Sequence, residues 1–161
     1  MPRTVREKPR EAPAVADSYV RRGSECAFAN LKLLARVVGT IYDDALRPAG
    51  LRASQLALLW AIATSEPVEL GRLGSLTLTD QTTLSRTVEK LRCEGWVRVR
   101  QGDDRRVKLL RLTAAGRRRF ALALPLWDLA QRRAGELLPL DDVRGMARRV
   151  RKSMRTAASQ E

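Results

Sequence analysis

The apolar residues of this chain change period between Trp96 and Leu112, then change back. Before that stretch they recur three and four residues apart: Leu56, Leu59, Trp60 and Ala63 in one segment, Leu84, Val88 and Leu91 in a later one. That spacing places them on one face of a helix. From Val97 the order is Val97-Arg98-Val99-Arg100, and later Leu110-Arg111-Leu112, apolar and basic in alternation. Alternation suits a strand with one buried face, because successive side chains point to opposite sides. Between the two runs lies Gln101-Gly102-Asp103-Asp104-Arg105-Arg106, polar and turn-forming, so the pair reads as a β-hairpin with a basic tip. Helical spacing returns after Thr113-Ala114-Ala115-Gly116. The expected fold is therefore mainly α with a small β-hairpin.

The rest of the chain supplies the helices around that hairpin. Residues 1–20 carry Pro2, Pro9 and Pro13 among charges and read as a disordered arm. Ser24 is a candidate N-cap for a helix from Ser24 to Arg47. Leu31, Leu34/Ala35, Val38, Ile41/Tyr42 and Ala45 give that helix an a/d-like seam, the kind that packs against a partner helix. Arg47-Pro48-Ala49-Gly50 ends it. Arg52–Thr64 reads as a second helix, stopped by Ser65-Glu66-Pro67, and Val68–Ser75 as a short third one. Thr77-Leu78-Thr79 is a turn, and Thr79 or Asp80 caps a helix over Asp80–Cys93, with Cys93 expected to pack at its end. Beyond the hairpin a helix reaches Leu137, with an irregularity expected at Pro125. A last helix follows Pro139-Leu140-Asp141-Asp142 and ends near Thr156.

Charge narrows the function. Lys and Arg total 31 against 18 Asp and Glu, a formal +13, which attracts a polyanion: nucleic acid first, an anionic membrane surface second. Between Arg86 and Arg119 stand twelve Lys or Arg and four acids, net +8, so most of the excess sits on the Asp80–Cys93 helix, the hairpin and the start of the next helix. No run approaches the ~18–20 apolar residues of a membrane span, and Met1–Asp17 has no apolar core of a secretory signal. No membrane partner is expected, and the expected compartment is the cytoplasm, on the nucleoid. Histidine is absent, which removes the commonest general base and metal ligand. Cys26 and Cys93 form no metal or redox spacing, and there is no Gly-rich phosphate loop. The paired acids Asp43-Asp44 and Asp141-Asp142 fall where solvent exposure is expected. The chain is not expected to be an enzyme or to carry a metal or cofactor.

Helix, helix, short turn, helix and hairpin in that order make a winged helix-turn-helix, whose last helix enters the major groove while the hairpin reaches backbone or minor groove. With Leu84, Val88 and Leu91 inward, Thr82, Thr83, Ser85, Arg86 and Lys90 are the candidate DNA contacts. Hydroxyls suit phosphates or base edges, and an arginine can read guanine with two bonds. The competing reading is a nucleoid-associated or RNA-binding protein that uses the same charge without sequence preference.

Three pieces in order carry a resemblance: Leu84-Ser-Arg-Thr-Val-Glu-Lys-Leu-Arg-Cys-Glu-Gly-Trp-Val97, then Asp104-Arg-Arg106, then Leu110-Arg-Leu-Thr-Ala-Ala-Gly116. Together they resemble the MarR family of winged helix-turn-helix transcriptional regulators, over the helical order from about residue 24 to 156. The stretch between Gly95 and Asp104 is about one residue shorter than usual and lacks the common proline. The resemblance implies a homodimer on a palindromic double-stranded operator. A helical dimerisation region (21–50 and 117–158, the long N- and C-terminal helices) would flank a DNA-binding lobe (51–116) in one intertwined domain. It further implies that Asp104 braces the wing by pairing with Arg106, and that Arg105 and Arg106 contact DNA. A repressor released by a small, often aromatic or phenolic, effector is the commoner mode. Asn30, Arg36, Trp60 and Trp127 are the candidate pocket residues. Some members sense oxidants through a cysteine near the start of the first helix, the place Cys26 occupies.

Overall fold

Pro13 opens the first helix, at a position where its missing N–H has no intrahelical partner to lose and its fixed φ suits the helix. The computed structural model describes residues 13–102, 104 and 106–158, in one unit up to Val38 and a second from Gly39. Helix α1 spans Pro13–Ser24, which corrects the expectation of a disordered arm from residue 13 onward. Ala14, Ala16, Arg21 and Arg22 are strong helix formers, and a proline at the first position does not oppose them. Residues 1–12 lie outside the described residues. Ser24 does not cap the next helix. Its hydroxyl donates to the Arg21 carbonyl at 2.8 Å and closes α1, while its own carbonyl accepts from Asn30 Nδ2 at 2.7 Å. Helix α2 begins at Ala27 and runs to Leu46, so the helix expected over Ser24–Arg47 is one helix that starts three residues later, after a break at Glu25-Cys26.

In the second unit a 3₁₀ turn, Arg47–Ala49, leads to Gly50 in the left-handed region at φ 63°. Helix α3, Ala53–Ser65, follows. Two of its orphan N-terminal donors find side chains: Gln55 Oε1 accepts the Arg52 N–H at 2.9 Å, and Asp43 Oδ1 accepts the Ala53 N–H at 2.7 Å. Then come β1 (Val68–Glu69), α4 (Leu70–Thr77), α5 (Gln81–Cys93), β2 (Val97–Gln101), β3 (Lys108–Leu112), α6 (Ala114–Leu137) and α7 (Leu140–Ala158).

The three strands form an antiparallel sheet in the order β1-β3-β2. Val68 stands opposite Leu110, and Val97 opposite Leu112. β1 takes the first residues of the short helix expected over Val68–Ser75, because Val68 gains burial opposite Leu110 on the free edge of β3. Helix α6 is continuous through Pro125, where an irregularity was expected. Leu46, Leu59, Ile62, Leu73, Leu84, Leu91 and Leu110 are fully buried and join α2–α5 to the sheet in one core. The α5 stripe of Leu84, Val88 and Leu91 is buried as its spacing predicts. Helix α7 instead leaves Val143, Met146, Val150 and Met154 exposed. Among the described residues no helix is long and apolar enough to cross a membrane.

Candidate nucleic-acid interface

Asp80 starts the helix that would read DNA. Its Oδ1 accepts the Thr83 N–H at 2.9 Å, as an N-cap must to satisfy one of the free donors. That bond holds the Asp80 carboxyl below its ordinary range. Leu78 precedes it in the left-handed conformation at φ 50°, with its N–H returning to the Gly74 carbonyl, and so turns α4 into α5. With the inner stripe fixed, Thr82, Thr83, Ser85, Arg86 and Lys90 are all exposed on α5. The first four share its N-terminal two turns. Lys90 lies toward the far end and lines a polar hollow with Asp43, Asp44 and Arg47, so it stands apart from the others.

Further along the same outer face, Glu89 is held by Arg92 through two hydrogen bonds of 2.8 and 2.6 Å. These bonds, with a weaker one from the Cys93 thiol at 3.5 Å, push the Glu89 pKa down to about 2. Its charge is therefore constant at any working pH and is answered by a fixed cation. Cys93 is exposed rather than packed, a correction with a simple cause: it lies one turn after Glu89, on the solvent side of the helix.

In the wing, Asp104 Oδ1 accepts the backbone N–H of Arg106 at 2.8 Å, and the Asp104 carbonyl accepts the Val107 N–H at 2.9 Å. The brace implied by the resemblance is thus made to the main chain of Arg106 and not to its guanidinium, which leaves that side chain exposed. Arg105 lies outside the described residues.

The base of the wing is fixed by a residue the sequence did not single out. Glu66, between α3 and β1, accepts the Leu112 N–H at 2.8 Å and pairs with Arg117 on α6. One carboxylate so ties three elements together across 46 and 51 residues. No local pattern announces a bond of that range. Glu66→Ala would leave the Leu112 N–H without its partner at a buried position. It should cost about 1–3 kcal/mol, seen as a lower midpoint in thermal unfolding; an unchanged midpoint would show that the bond holds nothing.

The aromatic residues expected at a pocket come together in part. Trp60 packs edge-on to Phe120 at 5.4 Å between centroids and against Trp127 at 5.3 Å. Beside them opens a cleft of about 560 Å3 whose lining includes Tyr42, Trp60, Trp127 and Arg151. The Tyr42 hydroxyl donates to Gln131 Oε1, and burial pushes its pKa up. Asn30 is engaged locally with the Ser24 carbonyl. Arg36 and Cys26 are exposed on and just before α2.

Several cations of the basic stretch are committed within the fold. Arg119 donates to the Ala49 carbonyl at 2.8 Å and lies 5.0 Å over the Trp96 ring, Arg117 holds Glu66, and Arg92 holds Glu89. Arg86, Arg98, Arg100, Arg106 and Arg111 have no such partner among the described residues.

Comparison with known proteins agrees with this geometry. Residues 51–116 match the family model of the winged helix DNA-binding domain. An uncharacterized HTH-type transcriptional regulator of Bacillus subtilis, YwoH, is 33% identical over 86 residues, which span 53% of this chain and 63% of that protein. The crystal structure of the M. tuberculosis transcriptional regulator MosR in complex with DNA is similar with a TM-score of 0.73 and 33% identity, over 82% of this chain and 98% of that one. AbsC, a MarR family transcriptional regulator from Streptomyces coelicolor, shares the fold with a TM-score of 0.68 at 20% identity, over 84% of this chain and 94% of that one.

Proposed function

The chain belongs to the MarR family of winged helix-turn-helix transcriptional regulators, and from that premise we propose that it is a sequence-specific repressor that binds a palindromic operator as a homodimer. The observation that carries this reading is the N-terminal half of α5. A capped helix presents Thr82, Thr83, Ser85 and unpaired Arg86 to solvent, next to a basic hairpin. Charge alone would serve a protein that coats any nucleic acid. Hydroxyls and a free guanidinium on the leading turns of a helix are what direct readout of base edges uses. Dimerisation doubles the site read. The exposed stripes Leu31, Leu34 and Val37 on α2, and Val143, Met146, Val150 and Met154 on α7, are apolar surface of the kind a second copy would cover.

The test is a titration of the purified protein against DNA upstream of its own gene at near-physiological salt, with excess unrelated DNA. Specific binding should exceed binding to the competitor by a factor of ~10³ or more, with two-fold symmetric protection. Equal loss to any competitor, there and at distant promoters, overturns the reading in favour of an architectural role.

The same cleft supports a response to a small aromatic anion. Trp60 and Trp127 offer ring faces, Tyr42 a hydroxyl and Arg151 a cation. A ligand seated there would favour one spacing of the DNA-binding lobes over another. Salicylate, used as a probe, should quench the tryptophan fluorescence and release operator DNA, and Trp60→Leu should abolish the quenching. Release without any fluorescence change would place the effector elsewhere.

A further inference from the structure

Three arginines of the wing are unused by the fold and by the reading above. Strand alternation buries Val97, Leu110 and Leu112 on the inner face of the sheet and puts Arg98, Arg100 and Arg111 on the outer one, all exposed. The register sets Arg98 directly across from Arg111, and Arg100 across from Leu109. Like charges placed opposite each other in an antiparallel pair destabilise it. None of the three has an ion pair or hydrogen bond with a described residue. Of the nearby acids, Glu66 is engaged by Arg117 and the Leu112 N–H. Glu69 lies on β1 across from Leu109 and pairs with none of the three. The arginines line a hollow of about 200 Å3 together with Pro67, Gln101 and Leu109.

We propose that this outer face of the wing is a second phosphate-binding surface, which holds the DNA backbone flanking the recognised site. The proposal rests on the DNA-binding reading and extends it to residues outside the recognition helix and the wing tip. Guanidinium groups bind phosphate oxygens through paired donors, and a cluster of three, two along β2 and one across from Arg98 on β3, can hold neighbouring phosphates where a single ion holds one. The side of the wing matters for where those phosphates lie. Val97, Leu110 and Leu112 of the inner face share one buried core with Leu84, Val88 and Leu91 of α5, so the inner face looks toward the recognition helix and the outer face away from it. With α5 in a major groove and the wing tip beside it, the outer face looks over the next stretch of backbone, beyond the bases read.

The test uses the full chain with Arg98→Gln, Arg100→Gln and Arg111→Gln combined, on two duplexes. One carries the protected site alone, and the other the same site with about one helical turn, ~10 base pairs, added on each side. Wild type should bind the longer duplex more tightly and with a steeper salt dependence. The variant should lose that gain, with a salt slope on the long duplex smaller by about one per arginine removed, and bind the short duplex as wild type does. The triple Lys variant should keep most of the gain. Loss of three mutually repelling cations should leave the unfolding midpoint level or higher, whereas a structural role lowers it. Equal binding of the long duplex by variant and wild type, or equal loss on both duplexes, overturns the proposal. So does weakened binding to an RNA hairpin with DNA binding intact. Failure of the DNA-binding reading is distinct, because wild type would then show no preference for either duplex over unrelated DNA.

Discussion

Gly116→Ala is expected to unfold the protein at ordinary temperature, or to lower its thermal midpoint by roughly 10 °C. A Cβ at position 116 would lie 2.0 Å from the Trp96 carbonyl oxygen and 2.8 Å from its carbon. These are backbone atoms, and they cannot rotate aside. The Trp96 oxygen is further fixed by the Thr113 N–H at 3.0 Å. Thr113 caps α6 by accepting the Gly116 N–H at 3.0 Å, and it donates to the Gly95 carbonyl at 2.6 Å. Relief of the clash therefore means separating α6 from the start of β2, which takes the wing base and the Arg119–Trp96 contact with it. Overpacking of this kind costs about 3 kcal/mol or more, and a chain of this length shifts by about 2–4 °C for each kcal/mol. Helix propensity alone argues the other way, since Ala is favoured over Gly by about 1 kcal/mol inside a helix, so the sign of the result is decisive. Gly74→Ala is the control: its Cβ would meet a Leu84 methyl at 3.2 Å, which can give. A midpoint for Gly116→Ala equal to or above that of Gly74→Ala would show that α6 sits further from β2 than described.

The residues that sequence reading located best are those whose signal is local. The switch of period at Trp96 marked the hairpin because alternation is a property of five consecutive residues. Leu84, Val88 and Leu91 marked the buried side of α5, and so its exposed side, for the same reason. Asp80 was legible as a cap because the bond it makes spans three residues. β1 was not, since two residues cannot display a period, and Val68 becomes a strand only through Leu110, 42 positions on. Glu66 is the same case in a side chain: nothing near it in sequence foretells Leu112 or Arg117. The junction at Ser24 was misread because a serine before an apolar stretch serves equally as the end of one helix or the cap of the next. Its hydroxyl takes the earlier carbonyl. Asp104 does meet Arg106, but at its main-chain N–H, because a short aspartate in a turn reaches a main-chain N–H two residues on more readily than a long side chain. Trp60 and Trp127 meet because α3 packs against α6, and no spacing within either helix implies it.

Arg86→Ala should weaken operator binding by roughly 10- to 100-fold, the loss of about 1–3 kcal/mol for one bidentate base contact, and should relax the preference at one base pair of each half-site. Arg86 lies four residues after Thr82, so the two side chains share one edge of α5, one turn apart. Its charge is free because the nearest acid on that face, Glu89, is already bound by Arg92 through two bonds. An arginine free of internal partners loses nothing by turning to a base, whereas Arg92 would have to surrender Glu89. Arg106→Ala makes the contrast. Its backbone stays tied to Asp104, so the wing keeps its shape while one exposed cation is removed. That variant should weaken all DNA alike and lower the salt slope by about one, with base preference unchanged. The two losses therefore differ in kind: one appears as a changed ratio between operator variants, the other as a changed dependence on salt. If Arg86→Ala weakens every sequence equally and Arg106→Ala shifts the preference, the base reader is the wing and α5 is the clamp.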